Sequence, residues 1–316
     1  MQSNDNQVSY QDGSTADSSA TVWSRDWSAH PALVDILSFS TIYAMSDIHG
    51  GYGRLTDLLV SNKIIVDSPD SPAEVVWAAG VAILVIDGDS INKGPKSVKV
   101  LELLLALSQS AMASGGRVVV LVGNHEAEFL ADPLNSKASD TDGIGQELAK
   151  GGINPVDFVA VSNRIGLWLH QLPLGLRAGK WFFCHSGNTG GKSFDELDKM
   201  LRESLSNERS WGSKEIIGDS SIVESNDWFE NPALPAAYAA KLNVAHIVFG
   251  HDPAALGYLG QIASDSSHLL FRIDVGMSPD IDYSEGAILR ITHDDSGDKA
   301  DELLPDGSIR QSWSLL

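Results

Sequence analysis

The stretch from Val118 to Glu126 reads Val-Val-Val-Leu-Val-Gly-Asn-His-Glu and carries the residues best suited to chemistry. Its first five residues are branched and apolar, which is typical of a strand covered on both faces. Gly123 ends this run, and Asn124 and His125 follow where the strand should open onto the edge of a sheet. An amide oxygen can bind a metal ion, and an imidazole can transfer a proton near neutral pH. By itself, however, this stretch is only suggestive.

The same arrangement, an apolar run that ends in residues able to bind metals, recurs at four other places. The strand ends carry, in chain order, Asp47 and His49, Asp89, Asn124 and His125, His185, and His251. Because oxygen and imidazole ligands without thiolates suit Mn, Fe or Zn, these positions indicate a divalent metal site. The ligands are too many for one catalytic ion with open positions, so they divide into two groups. Two ions roughly 3.5–4 Å apart need a bridging ligand, and Asp89 is the carboxylate that we assign to this role.

A pair of cations has a definite chemical use. Two cations lower the pKa of a shared water, hold a phosphoryl oxygen and neutralise the charge that develops during an in-line displacement. A nearby imidazole that is not a ligand can protonate the leaving oxygen, and His125 is the candidate. The residues therefore predict phosphoryl transfer at a two-metal centre, with Asp89 and His125 as catalytic residues.

The elements that must position these residues alternate between strand and helix in the first half of the chain. Strands are predicted at residues 40–45, 81–86, 118–122, 181–185, 244–249, 269–274 and 287–292. Helices follow the first two, and the order β-α-β-α-β is typical of a parallel sheet covered by helices. The last two strands have no long helix between them, so we expect them to pair antiparallel. Residues 132–145 are predicted to form a polar surface excursion near the site, and residues 294–301 a solvated turn.

Composition limits the class of protein. The chain has 316 residues, of which 43% are hydrophobic, so it is long and apolar enough for a sizeable core. A formal net charge of −20 argues against nucleic acid bound through a general basic face. It also disfavours a phosphorylated partner unless local cations reverse the field, as a pair of divalent ions would.

The single cysteine, Cys184, excludes a disulfide framework within the chain and fits a reducing compartment. No apolar stretch reaches the length of about 18 residues that a bilayer span requires, so no membrane partner is expected. Residues 1–30 are rich in Ser, Asp, Asn and Gln and predict a flexible polar leader without the apolar region of a signal peptide. We expect a cytoplasmic protein, or a periplasmic or secreted one if a signal peptide has been removed.

Taken together, the motifs resemble those of the calcineurin-like metallophosphoesterases. The resemblance rests on Asp47-x-His49-Gly, Gly88-Asp89, Gly123-Asn124-His125-Glu126, His185-Ser186-Gly187 and Gly250-His251, in that order. The His-Ser-Gly element, and the lack of a second histidine after Gly250-His251, resemble the phosphoprotein phosphatase branch. Residues 274–278 resemble the Shewanella-like phosphatases. The similarity runs from about residue 41 to residue 292. It implies an α/β (α+β) fold, a central β-sandwich of mixed sheets flanked by helices, as a single metallophosphatase catalytic domain over residues 31–316.

The resemblance also implies roles for individual residues. Asp47, His49 and Asp89 would hold the first of two divalent ions, and Asp89, Asn124, His185 and His251 the second. His125 would be the general acid. The family pattern Gly-Asp-x-x-Asp-Arg-Gly is altered here, because Asn92 and Lys93 replace its second Asp and its Arg. We expect Asn92 to accept a hydrogen bond from His125 without supplying charge, and Lys93 to bind phosphate without the bidentate fork of an arginine.

A second phosphate-binding arginine is expected from the resemblance and is missing from its usual region. Arg164 is the replacement that we predict, beside Lys93 and Asn124 as phosphate contacts, with Arg202, Arg209 and Lys192 as alternatives. The expected function is hydrolysis of phospho-Tyr or phospho-Ser/Thr in proteins by direct attack of a metal-bridging hydroxide. The alternatives are a phosphatase for small phosphomonoesters and a phosphate-binding pseudophosphatase, given Asn92, Lys93 and the missing arginines.

Overall fold

The structure is a computed structural model that describes residues 24–206, 210–295 and 297–315. The strands are β1 (Leu33–Ile36), β2 (Thr41–Met45), β3 (Ile83–Asp87), β4 (Arg117–Leu121), β5 (Gly175–Ala178), β6 (Trp181–Phe183), β7 (His246–Phe249), β8 (Ala263–Ser264), β9 (Leu270–Arg272), β10 (Ile288–Asp294), β11 (Gly297–Leu303) and β12 (Ile309–Leu315). The helices are α1 (Tyr52–Ser61), α2 (Ser97–Ala113), α3 (Asn124–Ala131), α4 (Ser136–Ser139), α5 (Ile144–Lys150), α6 (Pro155–Val159), α7 (Arg164–Gln171), α8 (Phe194–Ser204), α9 (Lys214–Ile217) and α10 (Ala233–Leu242). They form two mixed sheets flanked by helices, which confirms the expected fold class.

One sheet has the strand order β12-β11-β10-β2-β3-β4. Its strands β2, β3 and β4 are parallel, so the predicted β-α-β-α-β unit is confirmed. Every residue of β3, Ile-Leu-Val-Ile-Asp, is buried, as expected for a central parallel strand between covered faces. On the other side of β2, strands β10, β11 and β12 form an antiparallel meander. The acidic segment 294–301 is therefore not a solvated turn, because most of it belongs to β11.

The other sheet has the order β1-β5-β6-β7-β9-β8. Strands β6, β7 and β9 are parallel, while β5 and β8 run antiparallel to their neighbours β6 and β9. The expectation that the strands near residues 270 and 290 pair with each other is wrong. β9 lies beside β7, and β10 lies beside β2 in the first sheet. Consecutive strands of a chain can join different sheets, and the local sequence does not show which sheet a strand joins.

Both sheets contribute to one main hydrophobic core. Ile42 and Val85 of the first sheet and Leu176 and Phe182 of the second are fully buried in the same cluster. The indole Nε1 of Trp181 in β6 donates to Asp298 Oδ2 in β11 at 2.7 Å, so a hydrogen bond also joins the two sheets. The carboxyl ends of β2, β3, β4, β6 and β7 are thereby held in fixed relative positions.

The predicted leader, residues 1–30, lies largely outside the described residues, and its last part belongs to the folded body. Arg25 is buried, and its guanidinium donates to the backbone carbonyls of Pro31, Gln171 and Leu172 at 2.9–3.0 Å. The folded body therefore includes Arg25, which lies within the predicted leader. In the described ranges, none of the helices has the length and apolar character that a membrane span requires.

Candidate functional site

The predicted site residues follow strand ends in both sheets. Asp47 and His49 follow β2 and Asp89 follows β3, while Asn124 and His125 open α3 directly after β4. His185 and His251 follow β6 and β7 of the other sheet. The carboxyl ends of parallel strands in open α/β sheets are the usual place for ligands, and here two sheets present such ends to each other.

Two groups of side chains are close enough to hold metal ions. The ligand atoms of His49, Asp89 and His125 lie within 4.8 Å of one another, and so do those of Asp89, His185 and His251. Asp89 belongs to both groups, which is the position that a bridging carboxylate must occupy. All five side chains thus meet at one place although they come from distant parts of the sequence.

Asp47 and Asn124 complete this arrangement. Asp47 Oδ1 lies 3.7 Å from His49 Nε2, and Asp47 Oδ2 accepts a hydrogen bond from the His251 backbone N–H at 3.0 Å. Asn124 Oδ1 lies 3.2 Å from His185 Nε2. The structure therefore brings together all six residues predicted as metal ligands. Which of them bind which ion remains a prediction.

Backbone carbonyls orient two of the imidazoles. His49 Nδ1 lies 2.9 Å from the Ile91 carbonyl, and His185 Nδ1 lies 2.7 Å from the Asp87 carbonyl. An Nδ1–H that donates to a carbonyl leaves Nε2 as the free ligand atom, a common arrangement behind metal-binding histidines. In both residues Nε2 faces Asp89, at 3.6 Å for His49 and 3.3 Å for His185.

The buried carboxylates of the site favour positive charge beside them. Burial, with repulsion from Asp274, raises the pKa of Asp47 well above its ordinary value. Burial alone would lower the pKa of His185, yet Asp89 and the other carboxylates hold it well above its usual range. A cation bound among these carboxylates would allow His185 to act as a neutral imidazole ligand. The oxygen and imidazole donors, buried beside excess negative charge, therefore fit a pair of divalent ions.

The backbone of the site is tightly constrained. Asp47, His49, Asp89 and His251 have φ between 47° and 68°, a conformation that non-glycine residues seldom adopt. Such conformations are costly, and they persist at functional sites when the surrounding structure enforces them. Gly123 has an ordinary extended conformation, but a Cβ there would collide with the carboxylate and the backbone nitrogen of Asp89.

Glu126 is a functional residue to which the sequence analysis gave no role. Its Oε2 accepts from the backbone N–H groups of Asp89 and Gly123 at 2.9 Å. Its Oε1 accepts from those of Ser90 at 2.8 Å and Ile91 at 3.2 Å. One buried carboxylate thus fixes the loop that carries Asp89, and burial, with repulsion from Asp89, raises its pKa to about 7. Its spacing three residues after Gly123, at the start of α3, is the sequence feature that marks this role.

The hydrogen bond between Asn92 and His125 runs in the direction opposite to that expected from the sequence. Asn92 Oδ1 accepts from the Ile144 backbone N–H at 2.9 Å, which fixes the orientation of the amide. Its Nδ2 therefore points to His125 Nδ1, also at 2.9 Å, and donates to it. The expectation that Asn92 accepts a hydrogen bond from His125 is wrong. The neutral imidazole must carry its proton on Nε2, which lies 3.8 Å from Asp89 Oδ2.

A cavity of about 600 Å³ opens over these residues. The predicted site residues that line it are Asp89, Asn92, Lys93, Asn124, His125 and His251. The Lys93 backbone is left-handed, with φ 50°. Its Nζ lies 3.3 Å from His49 Nε2, so its side chain reaches the strand-end residues. The predicted excursion, residues 132–145, contributes Lys137, Asp140, Thr141 and Asp142, and Glu224 and Asn226 face them. Its expected position near the site is confirmed.

The structure does not place Arg164 at this cavity. Arg164 is an exposed residue in the first turn of α7 and is not among the side chains that line the cavity. Among the alternatives, Arg202 pairs with Asp198 at 2.7 Å, and Lys192 lines a separate cavity of about 190 Å³. Arg209 lies outside the described residues. The prediction of Arg164 followed from its charge alone, and α7 carries that charge away from the site.

Comparisons with known proteins agree with this geometry. The family model for calcineurin-like phosphoesterases matches residues 40–255. An uncharacterized protein of Schizosaccharomyces pombe is 28% identical over 284 residues, which cover 81% of this chain and 79% of that protein. The symmetrical bis(5'-nucleosyl)-tetraphosphatase of Vibrio vulnificus strain YJ016 is 28% identical over 167 residues. That match spans 51% of this chain and only about half, 52%, of the relative.

Solved structures show the same fold. A cold-active protein-tyrosine phosphatase from a psychrophilic Shewanella has a TM-score of 0.70 at 22% identity, covering 89% of this chain and 82% of that one. A protein serine/threonine phosphatase from Saccharomyces cerevisiae has a TM-score of 0.60 at 13% identity, covering 87% and 84%. At such low identity these similarities concern the fold alone.

Proposed function

Since the chain belongs to the calcineurin-like phosphoesterase family, we propose that it is a two-metal phosphomonoesterase acting on phosphorylated Tyr, Ser or Thr residues of proteins. The observation that carries this proposal is the pair of ligand groups that share Asp89. A binding protein that only recognises phosphate has no need of two metal sites with a histidine beside them. The pseudophosphatase alternative is therefore the weaker one.

The proposed centre uses the side chains of both sheets. Asp47, His49 and Asp89 would hold one ion, which leaves His125 of the first ligand group unbound. Asp89, Asn124, His185 and His251 would hold the other. When bound, two divalent ions supply Lewis acidity, which neutralises the phosphoryl oxygens and provides the attacking nucleophile from water. Lys93, which lines the cavity, would bind a phosphoryl oxygen, and Glu126 keeps the Asp89 loop in position.

His125 is the residue proposed to act on the leaving oxygen. Because Asn92 donates to its Nδ1, the neutral imidazole presents Nε2–H toward the centre. A neutral imidazole is a hydrogen-bond donor but a very weak acid. This arrangement favours leaving groups that need little protonation, such as the phenolate of phosphotyrosine, whose conjugate acid has a pKa of about 10. We therefore rank phosphotyrosine above phosphoserine and phosphothreonine as the substrate.

A second candidate function is the symmetrical hydrolysis of bis(5'-nucleosyl) tetraphosphates. It is favoured by the Vibrio vulnificus relative, and by that of Janthinobacterium, which is 31% identical over 149 residues. The cavity argues against it, because Asp140, Asp142 and Asp280 line its mouth and would repel a polyanionic chain. We rank the phosphoprotein substrate first for this reason. A phosphatase for small phosphomonoesters remains the third possibility.

The test is turnover by manganese-loaded protein on p-nitrophenyl phosphate, phosphotyrosine and phosphoserine peptides, and a bis(5'-nucleosyl) tetraphosphate. We expect Asp89→Asn to lower kcat by roughly 10³-fold or more and to lower the bound metal, because Asp89 is common to both ligand groups. Asp67→Asn, a change at an exposed aspartate, is the matched control and should leave both quantities unchanged. Metal content is measured by atomic emission on the same samples.

Each outcome has a definite meaning. Full turnover by Asp89→Asn would refute the two-metal mechanism. Rapid hydrolysis of the tetraphosphate with slow hydrolysis of phosphopeptides would transfer the proposal to the second candidate. Metal-loaded protein that hydrolyses none of these substrates would leave the phosphate-binding alternative.

A further inference from the structure

A second lysine lines the cavity from the polar excursion, residues 132–145. Lys137 belongs to α4, in the polar excursion, and lines the same cavity as Asp89, Lys93 and His125. The side chains that line this cavity in the described ranges include no arginine. Lys93 and Lys137 are the two lysines that line it, and only Lys93 was expected from the sequence.

Two glutamates hold Lys137 in place. Its Nζ lies 2.6 Å from Glu128 Oε1 and 3.7 Å from Glu224 Oε1. The same Glu224 oxygen accepts a hydrogen bond at 3.0 Å from Nδ2 of Asn124, a predicted metal ligand. The ammonium group is thus separated from the proposed centre by a single carboxylate. The excursion is also tied to the loop of Lys93, because the Gly94 N–H donates to the Asp142 carbonyl at 3.3 Å.

The pair with Glu128 is easily exchanged. The Lys137 side chain is 38% exposed and that of Glu128 21% exposed. Ion pairs of this kind contribute little, about 0–1 kcal/mol, because water screens them. A phosphate dianion bound beside the strand ends offers a stronger, charge-assisted acceptor. Lys137 already lines the cavity in which such a dianion would bind.

We propose that Lys137 binds the non-bridging oxygens of the substrate phosphate, in place of the arginine that this cavity lacks. Glu128 holds the ammonium in the absence of phosphate and competes with phosphate for it. This inference rests on the proposed function, because it assumes that the phosphoryl group sits at the shared ligand Asp89. It makes Lys137 a substrate-binding residue and Glu128 a residue that acts through it.

The test is the binding of inorganic phosphate to manganese-loaded protein, measured by titration calorimetry, together with KM and kcat for p-nitrophenyl phosphate. Lys137→Met should weaken phosphate binding roughly tenfold or more, the usual effect of losing a hydrogen bond to a charged group. Lys137→Arg should keep most of the affinity. Lys150→Met, at an exposed lysine of α5 that does not line the cavity, is the matched control and should bind phosphate as the unaltered protein does.

Glu128→Gln separates this inference from a purely structural role. Removing the competing charge should tighten phosphate binding about two- to fivefold, a change opposite in sign to that of Lys137→Met. If the ion pair merely stabilises the excursion, both variants will bind phosphate more weakly and melt at a lower temperature. That result, or an unchanged affinity in Lys137→Met, would overturn the inference.

The inference and the proposed function fail in different ways. A protein that hydrolyses phosphopeptides while Lys137→Met keeps full phosphate affinity upholds the function and refutes the role of Lys137. A protein that binds phosphate through Lys137 but hydrolyses no phosphomonoester upholds that role and refutes the function. If the unaltered, manganese-loaded protein binds no inorganic phosphate, the role of Lys137 is refuted directly.

Discussion

At position 92, an amide nitrogen in place of a carboxylate oxygen decides which nitrogen of His125 carries the proton. An aspartate there would accept a hydrogen bond from His125 Nδ1–H and would stabilise the imidazolium, whereas the Asn92 amide donates to the same nitrogen. The direction is set by the Ile144 N–H, which only an oxygen can satisfy. Burial lowers the pKa of His125 well below its ordinary value, although Asp89 opposes the shift. The residue therefore donates a hydrogen bond rather than a proton.

Asn92→Asp should reverse this relation. A carboxylate keeps the Ile144 N–H satisfied with one oxygen and accepts from His125 Nδ1 with the other, which favours the imidazolium. General acid catalysis contributes roughly 10²–10⁴-fold, so turnover of an alkyl phosphate relative to p-nitrophenyl phosphate should rise about tenfold or more. Steady-state kinetics on the two substrates measure this ratio.

The control for that comparison is Asn163→Asp. Asn163 caps α7 by accepting from two backbone N–H groups, a position where aspartate serves equally well. It should leave the ratio unchanged. An alkyl phosphate rate that does not rise in Asn92→Asp would show that His125 takes no part in departure of the leaving group.

At the residue scale, the sequence could predict which strand-end residues come together but not their partners. Asp47, His49, Asp89, His185 and His251 stand out because each ends an apolar run. The contacts of Glu126 and Lys137 are with loops that come close only when the sheets form. Arg164 was predicted from its charge, and the sequence did not show where its side chain lies. Spacing along a chain predicts which strand end carries a residue, but not what faces it.

At the scale of elements, the parallel unit of β2, β3 and β4 was predictable because its strands are short, apolar and separated by helices. The meander of β10, β11 and β12 was not, because β11 reads Gly-Asp-Lys-Ala-Asp-Glu-Leu and its charges suggest a turn. Arg290 and Lys299 neutralise the buried Asp301, and Glu302 is paired with Arg310. Cross-strand charge pairs thus permit a strand that composition alone argues against.

Gly123, where β4 leads into α3, offers a test at this scale. Gly123→Ala should displace Asp89, since the added methyl group has no free space. We expect a loss of bound manganese and activity, with a destabilisation of about 1–3 kcal/mol from overpacking. Metal analysis and urea unfolding measure the two effects.

Gly53→Ala is the matched control for that substitution. Gly53 lies in α1 with open space around it, so the same methyl group should stabilise the protein by roughly 0.5–1 kcal/mol. If Gly123→Ala retains full metal content, the fit of this turn around Asp89 is looser than its geometry indicates.

At the scale of the whole molecule, acidic side chains occur in the interior as well as on the surface. Besides the ligands, Asp87 is fully buried, both of its carboxylate oxygens lack a hydrogen-bond partner, and burial raises its pKa to about 7. Glu126 also has a pKa raised to about 7, and Asp274 one raised to about 6. The folded chain thus holds protons that the unfolded chain releases.

The stability of the metal-free protein should therefore fall as the pH rises from about 6.5 through about 7, the folded pKa of Asp87 and Glu126. A carboxyl group whose pKa is raised in the folded state stabilises the protein less and less as the pH increases, until the folded-state pKa is passed. Burial lowers the pKa of His49, His170 and His251 to about 4, and these residues favour the folded state as pH rises only up to 6.5. Above that value nothing from these histidines opposes the carboxylates. The melting temperature in chelator, measured across this range, checks the sign.

Manganese should reverse the trend, because its ligands bind best when deprotonated. The increase in melting temperature on adding manganese should therefore be larger at pH 8 than at pH 6. Asp87→Asn, a neutral replacement at a position outside the predicted ligand set, should flatten the decline in chelator while retaining metal. A melting temperature that rises steadily from pH 6.5 to 8 in chelator would contradict this account of the interior.

The two halves of the chain each supply one side of the site. His49, Asp89 and His125 are made early, whereas His185 and His251 belong to the sheet completed later. During synthesis, the second ligand group cannot assemble until residue 251 has left the ribosome. In the proposed two-metal centre, uptake of the second ion should therefore be a late event in the biogenesis of this protein, and a nascent chain halted near residue 180 should capture at most one ion.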